Sequence, residues 1–449
     1  MLTKLAYQSD LSPWLAHFAA HFGQPLLLLD SNQPNALGPA RRFDLLFFAA
    51  LKAWRISSDG QLWQQDAGQT WQPVAQGIED WLAKLAPEPW PDPVELAPEL
   101  PRPGLAGALS YDLGLRLQGL TSEHSQQAPL LDLASFGALL VMDHQQQQGY
   151  LWHQDPALLQ RVQELLGQPP SSIQSVQLAL TPEINQQQYD QAYQGVQQYL
   201  RAGDCYQINL TYRYQGRWHG CPYSAFRLGR QQVAGPFAAL WQQQDLSLIS
   251  MSPERFIAID QGRIESRPIK GTVPRGQTPE QDRALQQQLA NSSKDQAENV
   301  MIVDLLRNDL GKLALAGTVE VPELFVVESY ANVHHLVSAI RAQLRPEITP
   351  LQALISCSPG GSITGAPKRR AMQIIDQLEL SSRGHYCGSL FYWDSLNRLD
   401  SSILIRTLEV WQQECRLGTG GGVTLGSTAE GEYQESQLKV ARFIQALQG

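Results

Sequence analysis

The chain has 449 residues, 43% of them hydrophobic and 17% charged, with a formal net charge of -9 at pH 7. That composition fits a globular protein with a large core and excludes wholesale disorder. The acidic balance argues against a general nucleic-acid binder, which carries a basic excess or stripe, so an anionic ligand has to be met by locally placed cations.

By length the chain holds material for about three domains of ~150 residues. Its first residues, MLTKLAYQSDLSPWLAHFAAHFG, lack the continuous apolar centre of a signal peptide. The longest apolar runs, such as LLFFAAL at 45–51, are too short to span a bilayer. Five scattered cysteines (205, 221, 357, 387 and 415) include no CxxC pair, the usage of reduced thiols rather than of a disulfide framework or zinc site. A cytoplasmic protein without membrane contact is expected.

In chain order, PLLLLDS and FDLLFFAAL have the continuous apolar character of buried strands. The segment from Ala86 to Gly104 is too rich in proline for a helix or central strand and reads as an extended connection. GALSYDLG and SFGALLVMDH again read as strands, and the Gln-rich runs at 145–148 and 187–198 as loops or helix surface. From Thr181 the pattern changes to helices alternating with strands. Tyr189, Tyr193, Val196 and Leu200 recur at helical spacing before Gly203, and YQINLTYRYQG alternates like a strand. Helices are expected over 294–310 and 428–447. The organisation predicted is a smaller N-terminal portion, 1–150, joined to a catalytic portion, 181–447, of mixed α and β elements with mostly antiparallel strands.

Chemistry concentrates in the second portion. RIESRPI alternates like a strand, which places Lys270 of RPIKGTVPRG where that strand meets a Gly turn, a position that suits a reactive group or simply a solvated lysine. Glu298 shares a helical face with Met301, Ile302 and Leu305, and a carboxylate on an apolar stripe needs a partner or a cation unless it lies at the edge of that stripe. Glu432, Glu435 and Lys439 follow one another at steps of three and four, as a surface ion pair or as part of a cation site. Oxygen ligands without a thiolate or imidazole cluster point to Mg²⁺. SPGGSITGAPK and LGTGGGVT are neither Walker loops nor dinucleotide fingerprints. Gly-rich turns of that kind expose backbone N–H groups to anions or serve as plain hairpin turns.

RPIKGTVPRG, AENVMIVDLLRNDLG, VHHLVS, GGSITGAPKRRAM, SSILIRTLE, GTGGGV and EYQESQLK occur in the order found in the chorismate-utilising enzymes, which the chain resembles strongly over about 181–447 and more weakly before it. The resemblance implies an α+β fold of two large packed antiparallel β-sheets flanked by helices, with the active site in a cleft. Anthranilate and isochorismate synthases usually read PIAGT where this chain reads PIKGT. The lysine marks the branch that converts chorismate and ammonia to 4-amino-4-deoxychorismate, the precursor of 4-aminobenzoate and folate.

By resemblance Lys270 is the covalent nucleophile, attacking ring C2 as the 4-hydroxyl leaves, and Glu254 of SPERF is the general acid. His335 stands near the reacting ring. Glu298, Glu432 and Glu435 look like the Mg²⁺ ligands. Arg406 and Lys439 look like partners for substrate carboxylates, with Thr364, Gly365, Gly421 and Gly422 supplying backbone or hydroxyl donors.

Neither a nucleophile-elbow cysteine nor a His-x-Glu motif is visible, so the resemblance implies ammonia from a separate glutamine amidotransferase subunit. Anthranilate synthase component I, which also eliminates pyruvate for tryptophan biosynthesis, is the competing assignment, and Lys270 argues against it. A non-catalytic subunit binding chorismate or tryptophan would not need Glu254, Lys270, Glu298 and Glu435 together. Ser31, Pro236 and Phe237 fall where relatives form a tryptophan pocket, although LLLLDS replaces the LLES of tryptophan-inhibited anthranilate synthases.

Overall fold

The computed structural model describes residues 1–31, 42–90, 99–233, 235–330 and 333–448. Two long strands, Phe43–Ile56 and Leu131–Asp143, pair along their whole length and belong to two sheets at once. One end of this ladder pairs with Leu26–Asp30 and Gln148–His153, the other with Leu62–Asp66 and Gly104–Leu109. Between the two ends the register shifts at Ala50/Lys52, beside Ala49 at φ 53°. A bulge of this kind bends a strand and steepens its twist, which lets one ribbon turn from one sheet into the next.

The first sheet continues from Leu26–Asp30 through Phe237–Gln243, Leu246–Ser252, Thr407–Trp411 and Glu414–Val423 to Gln207–His219. The second continues from Gly104–Leu109 through Ser389–Asp394, Leu399–Ile403, Arg255–Asp260 and Arg263–Ser266 to Val333–Gln343. All these pairings are antiparallel. Strands from the first 150 residues therefore hydrogen-bond directly to strands from the C-terminal portion.

One apolar core lies between the sheets. Leu27, Leu29, Trp241 and Leu248 of the first sheet share it with Ala106, Ala108, Leu390 and Leu404, which belong to or flank the second. Helices cover the outer faces. Phe226 of Pro222–Gln232 and Phe443 of Ala429–Gln448 pack on the first sheet, and Ile302, Leu306 and Leu310 of Ser293–Gly311 on the second. The fold is α+β, two packed antiparallel sheets flanked by helices, as the resemblance implied.

The expected helices form, with Gln186–Arg201 opened by a capping box at Asn185. GALSYDLG departs from expectation. Its strand ends at Leu109, Ser110 accepts a hydrogen bond from the Leu113 N–H, and Tyr111–Leu117 is helical. The serine is a good N-cap, and that local signal overrides the apolar run. In the proline-rich connection, 86–90 and 99–103 form neither helix nor strand, and 91–98 lie outside the described residues. The five cysteines form no disulfide, and among the described residues no helix is long and apolar enough to cross a membrane.

A buried ion pair ties the C-terminal end of Lys368–Leu378 to the first sheet. Arg383 donates to both oxygens of Glu379 at 2.7 and 2.9 Å, to Ile363 O at 2.8 Å and to Asn209 O at 2.7 Å. Glu379 also accepts from the Thr211 N–H and hydroxyl, each at 2.8 Å. Removing one member leaves the other charge buried and unpaired. Arg383→Ala is expected to lower the unfolding free energy by about 3–5 kcal/mol, measured by urea denaturation. An effect under about 1 kcal/mol, the size of an exposed pair, would contradict this account of the pair.

Candidate active site

Lys270 lies in the strand Ile269–Pro274, which pairs with Val333–Gln343. The preceding strand stops at Ser266, so the lysine does not end that strand as the sequence pattern implied. Pro268 has no N–H for the ladder, and the pairing resumes beyond it. Pairing slips again between Ile269 and Thr272, a bulge at Lys270–Gly271. Gly271 has φ 85°, and a Cβ there would press on Leu289 at 2.9 Å and Asp295 at 3.0 Å. Glycine is thus required on both conformational and steric grounds. The bulge re-aims the lysine out of the regular alternation, as bulges beside active sites do.

Burial lowers the pKa of Lys270, Lys439 adds to the effect, and the carboxylates of Glu298, Glu254 and Glu435 oppose it. Charges from two helices and a strand end therefore converge on one amine. Glu254 follows the strand Leu246–Ser252 and is itself buried. Its N–H bonds to Ser252 Oγ at 3.2 Å, its carbonyl accepts from the Ile403 N–H at 3.1 Å, and Ser362 donates to Oε1 at 3.0 Å. Burial raises its pKa to about 7, while the Ser362 hydrogen bond and the Lys270 charge pull it back. A neutral amine beside a protonated carboxyl is the pairing that burial favours on both sides.

His335 Nδ1 lies 2.8 Å from the Thr272 hydroxyl, two residues beyond the lysine, and its ring meets Tyr330 edge-on at 5.3 Å. Burial first, and the Arg406 charge second, push its pKa down to about 4, so the imidazole is neutral near pH 7. Arg406 adopts φ 50°, a left-handed conformation unusual outside glycine. Among the described residues this half-buried guanidinium pairs with no carboxylate, and burial lowers its pKa. A desolvated cation of that kind suits an anionic ligand.

Gly421 and Gly422 lie in the strand Glu414–Val423, opposite Leu210 and Asn209. A Cβ on Gly421 would come within 3.0 Å of Glu432 Oε2. Thr364 is fully buried with its hydroxyl donated to Gly360 O at 2.9 Å, and Gly365 pairs with Ile208. Glu298 stands on the helix Ser293–Gly311. Glu432 bonds Ser427, and Glu435 pairs with Lys439 at 2.8 Å. Burial raises the pKa of Glu432; Lys439, Lys294 and Lys270 together outweigh burial and lower that of Glu435. Among the described residues no three acidic, His or Cys side chains gather tightly enough to hold a metal unaided. All-oxygen donors are the chemistry Mg²⁺ prefers, and it keeps several waters beside its protein carboxylates.

Two side chains escaped the sequence reading. Ser362 holds Glu254. Gln207 is fully buried beside Gly422, and among the described residues both polar atoms of its amide lack a hydrogen-bond partner. Ser31, Pro236 and Phe237 come together where Leu26–Asp30 pairs with Phe237–Gln243, and Phe237 pairs in turn with Ser252, two residues before Glu254. The Ser31 N–H donates to Asp44 at 2.8 Å, and Asp44 bonds His144. Burial and the Asp44 charge raise Asp30 to about 7 against the pull of its partner Arg230.

Residues 44–445 match the family described as chorismate binding enzyme. The chain is 39% identical over 452 residues to aminodeoxychorismate synthase component 1 of Klebsiella aerogenes, covering 97% of this chain and 98% of the relative. It is 42% identical over 348 residues to the namesake from Escherichia coli K12, 77% of each chain. Among solved structures, anthranilate synthase component I from Streptococcus pneumoniae TIGR4 superposes with TM-score 0.78 at 25% identity, over 91% of this chain and 93% of that one. The menaquinone-specific isochorismate synthase of Escherichia coli shares the fold, with TM-score 0.70 at 16% identity over 100% and 94% of the two chains. The chain belongs to the chorismate binding enzyme family and is a chorismate-utilising enzyme.

Proposed function

We propose that this enzyme is the synthase component of an aminodeoxychorismate synthase, transferring ammonia to chorismate to give 4-amino-4-deoxychorismate for 4-aminobenzoate and folate biosynthesis. The observation that carries the reading is Lys270, re-aimed by its bulge and lowered in pKa beside Glu254. The neutral amine forms a bond to C2 of the ring, both ring double bonds shift (C1=C2 to C1=C6 and C5=C6 to C4=C5), and the C4–O bond breaks. Glu254 gives its proton to the departing hydroxyl, which leaves as water. Ammonia then bonds to C4, both double bonds return to their original places, and the C2–N bond breaks to release the lysine amine. A proton from the added ammonia balances the one Glu254 gave up.

Arg406 and Lys439 meet the substrate carboxylates, and His335 presents a neutral ring beside the strand that carries the nucleophile. Glu298, Glu432 and Glu435 would hold Mg²⁺, which supplies charge neutralisation for a carboxylate. Relatives named component 1 imply a second component, read here as a glutamine amidotransferase that delivers ammonia.

The test is product analysis of the purified chain with chorismate, Mg²⁺ and excess ammonium, with pyruvate followed by a coupled dehydrogenase. The reading expects an amino product that keeps its enolpyruvyl group and no pyruvate. Anthranilate with stoichiometric pyruvate would instead assign the anthranilate synthase reaction.

The region around Ser31, Pro236 and Phe237 is read as a tryptophan site. Tryptophan at about a hundred times its Kd is expected to add about 2.7 kcal/mol of stability, visible as a rise in Tm. An unchanged Tm at millimolar tryptophan would remove the site from the proposal.

A further inference from the structure

The cation beside Glu435 is already present in this chain, as part of Lys439. The Lys439 ammonium lies 2.8 Å from Glu435 Oε1 and donates to Gly420 O at 2.9 Å. A Cβ on Gly421 would meet both Glu432 Oε2, at 3.0 Å, and Lys439 Nζ, at 3.4 Å. The bare glycine backbone, two carboxylates and the ammonium therefore form one packed group. The charge of Lys294, on the first turn of the helix that carries Glu298, also acts on Glu432 and Glu435, and that of Lys270 acts on Glu435.

We infer that Lys439 is a stand-in for the divalent cation: it holds Glu435 when no metal is bound and must leave that carboxylate when metal is taken up. The inference rests on the magnesium reading given under the proposed function. Three physical points support it. An i,i+4 lysine–glutamate pair as exposed as this one is weak, so it gives way to a divalent ion. The partners of the ammonium are oxygens, the donor chemistry a hard cation prefers. The bond to Gly420 O gives the ammonium a second anchor in the Gly-rich strand, so on leaving Glu435 it stays beside Gly421 and Gly422, where a substrate carboxylate is expected.

Cation uptake and anion binding are then linked. Metal frees an ammonium for the anionic substrate, and by reciprocity the substrate tightens the metal. Without this exchange Lys439 would be only a substrate contact, and its removal would leave the tightening of metal by chorismate unchanged.

The test uses Mn²⁺ as probe, read as loss of the free-ion signal in electron paramagnetic resonance, on the full chain without chorismate. Lys439→Gln is expected to bind Mn²⁺ about three- to tenfold more tightly than the unmodified chain, because a like charge next to the ion is gone. Chorismate is expected to tighten Mn²⁺ less in the variant than in the unmodified chain. Lys439→Met, which keeps most of the apolar stem and drops the ammonium, should behave in the same way. Equal or weaker Mn²⁺ binding by both variants would overturn the inference and leave the magnesium reading standing. Failure of every form to take up Mn²⁺, even with chorismate present, would overturn the magnesium reading and this inference with it.

Discussion

Replacing Lys270 by alanine is expected to cut formation of the 4-amino product by about 10³-fold or more, the scale on which covalent nucleophiles act. The fold should survive, because the bulge depends on Gly271 and the ladder with Val333–Gln343 rather than on the lysine side chain. Chorismate binding should change much less than turnover, since Arg406 and Lys439 remain. Lys270→Arg should be nearly as inactive as the alanine variant, although it keeps the charge, because a guanidinium stays protonated and cannot attack. An arginine variant with near-normal turnover would mean that this position supplies only a positive charge. Steady-state kinetics with ammonium as nitrogen source distinguishes these outcomes.

Glu254→Gln carries the second large effect, a loss of about 10²–10⁴-fold in kcat, the range for removing a general acid. Its pH profile gives the sharper test. The reactive state has Glu254 protonated and Lys270 neutral, and it holds the same number of protons as the resting ion pair of carboxylate and ammonium. Its population therefore follows a bell that belongs to the pair. It is lost below about 7, as a further proton is added. It is lost again above the lowered pKa of the lysine, as the last proton leaves. In the glutamine variant only the lysine titrates, so the residual rate should rise with pH to a plateau and the alkaline descent should vanish. A variant that keeps the alkaline descent would assign that limb, and the acid, to another group.

Much of this was legible in the sequence because the family pattern consists of short local strings that keep their order. PIKGT, the Glu298 helix and the EYQESQLK helix each announce a candidate site residue by its neighbours, and the helices formed within a residue or two of expectation. Residues that work through partners distant in the chain were not legible. Ser362 reaches Glu254 across 108 positions, and nothing near either residue signals the contact. Gln207 opens a strand that reads as ordinary alternation, and its unpartnered amide is visible only once Gly422 lies against it. The Lys270 bulge was hidden for a related reason. Alternation through RIESRPI predicts one strand running into a turn, whereas Pro268 and Gly271 interrupt a ladder that continues on both sides. The hydrogen bond of Lys439 to Gly420 O likewise joins a helix to a strand 19 residues earlier, so helical spacing alone found only the Glu435 half of that arrangement.

The most direct measurement is intact-mass and peptide-mapping spectrometry of the chain mixed with chorismate and Mg²⁺ in the absence of ammonia and then quenched in acid. The account predicts a single adduct of chorismate less one water, located on Lys270, absent from Lys270→Ala and discharged when ammonium is added before the quench. An unmodified Lys270 in enzyme that goes on to make the amino product, or an adduct on a different residue, would contradict it.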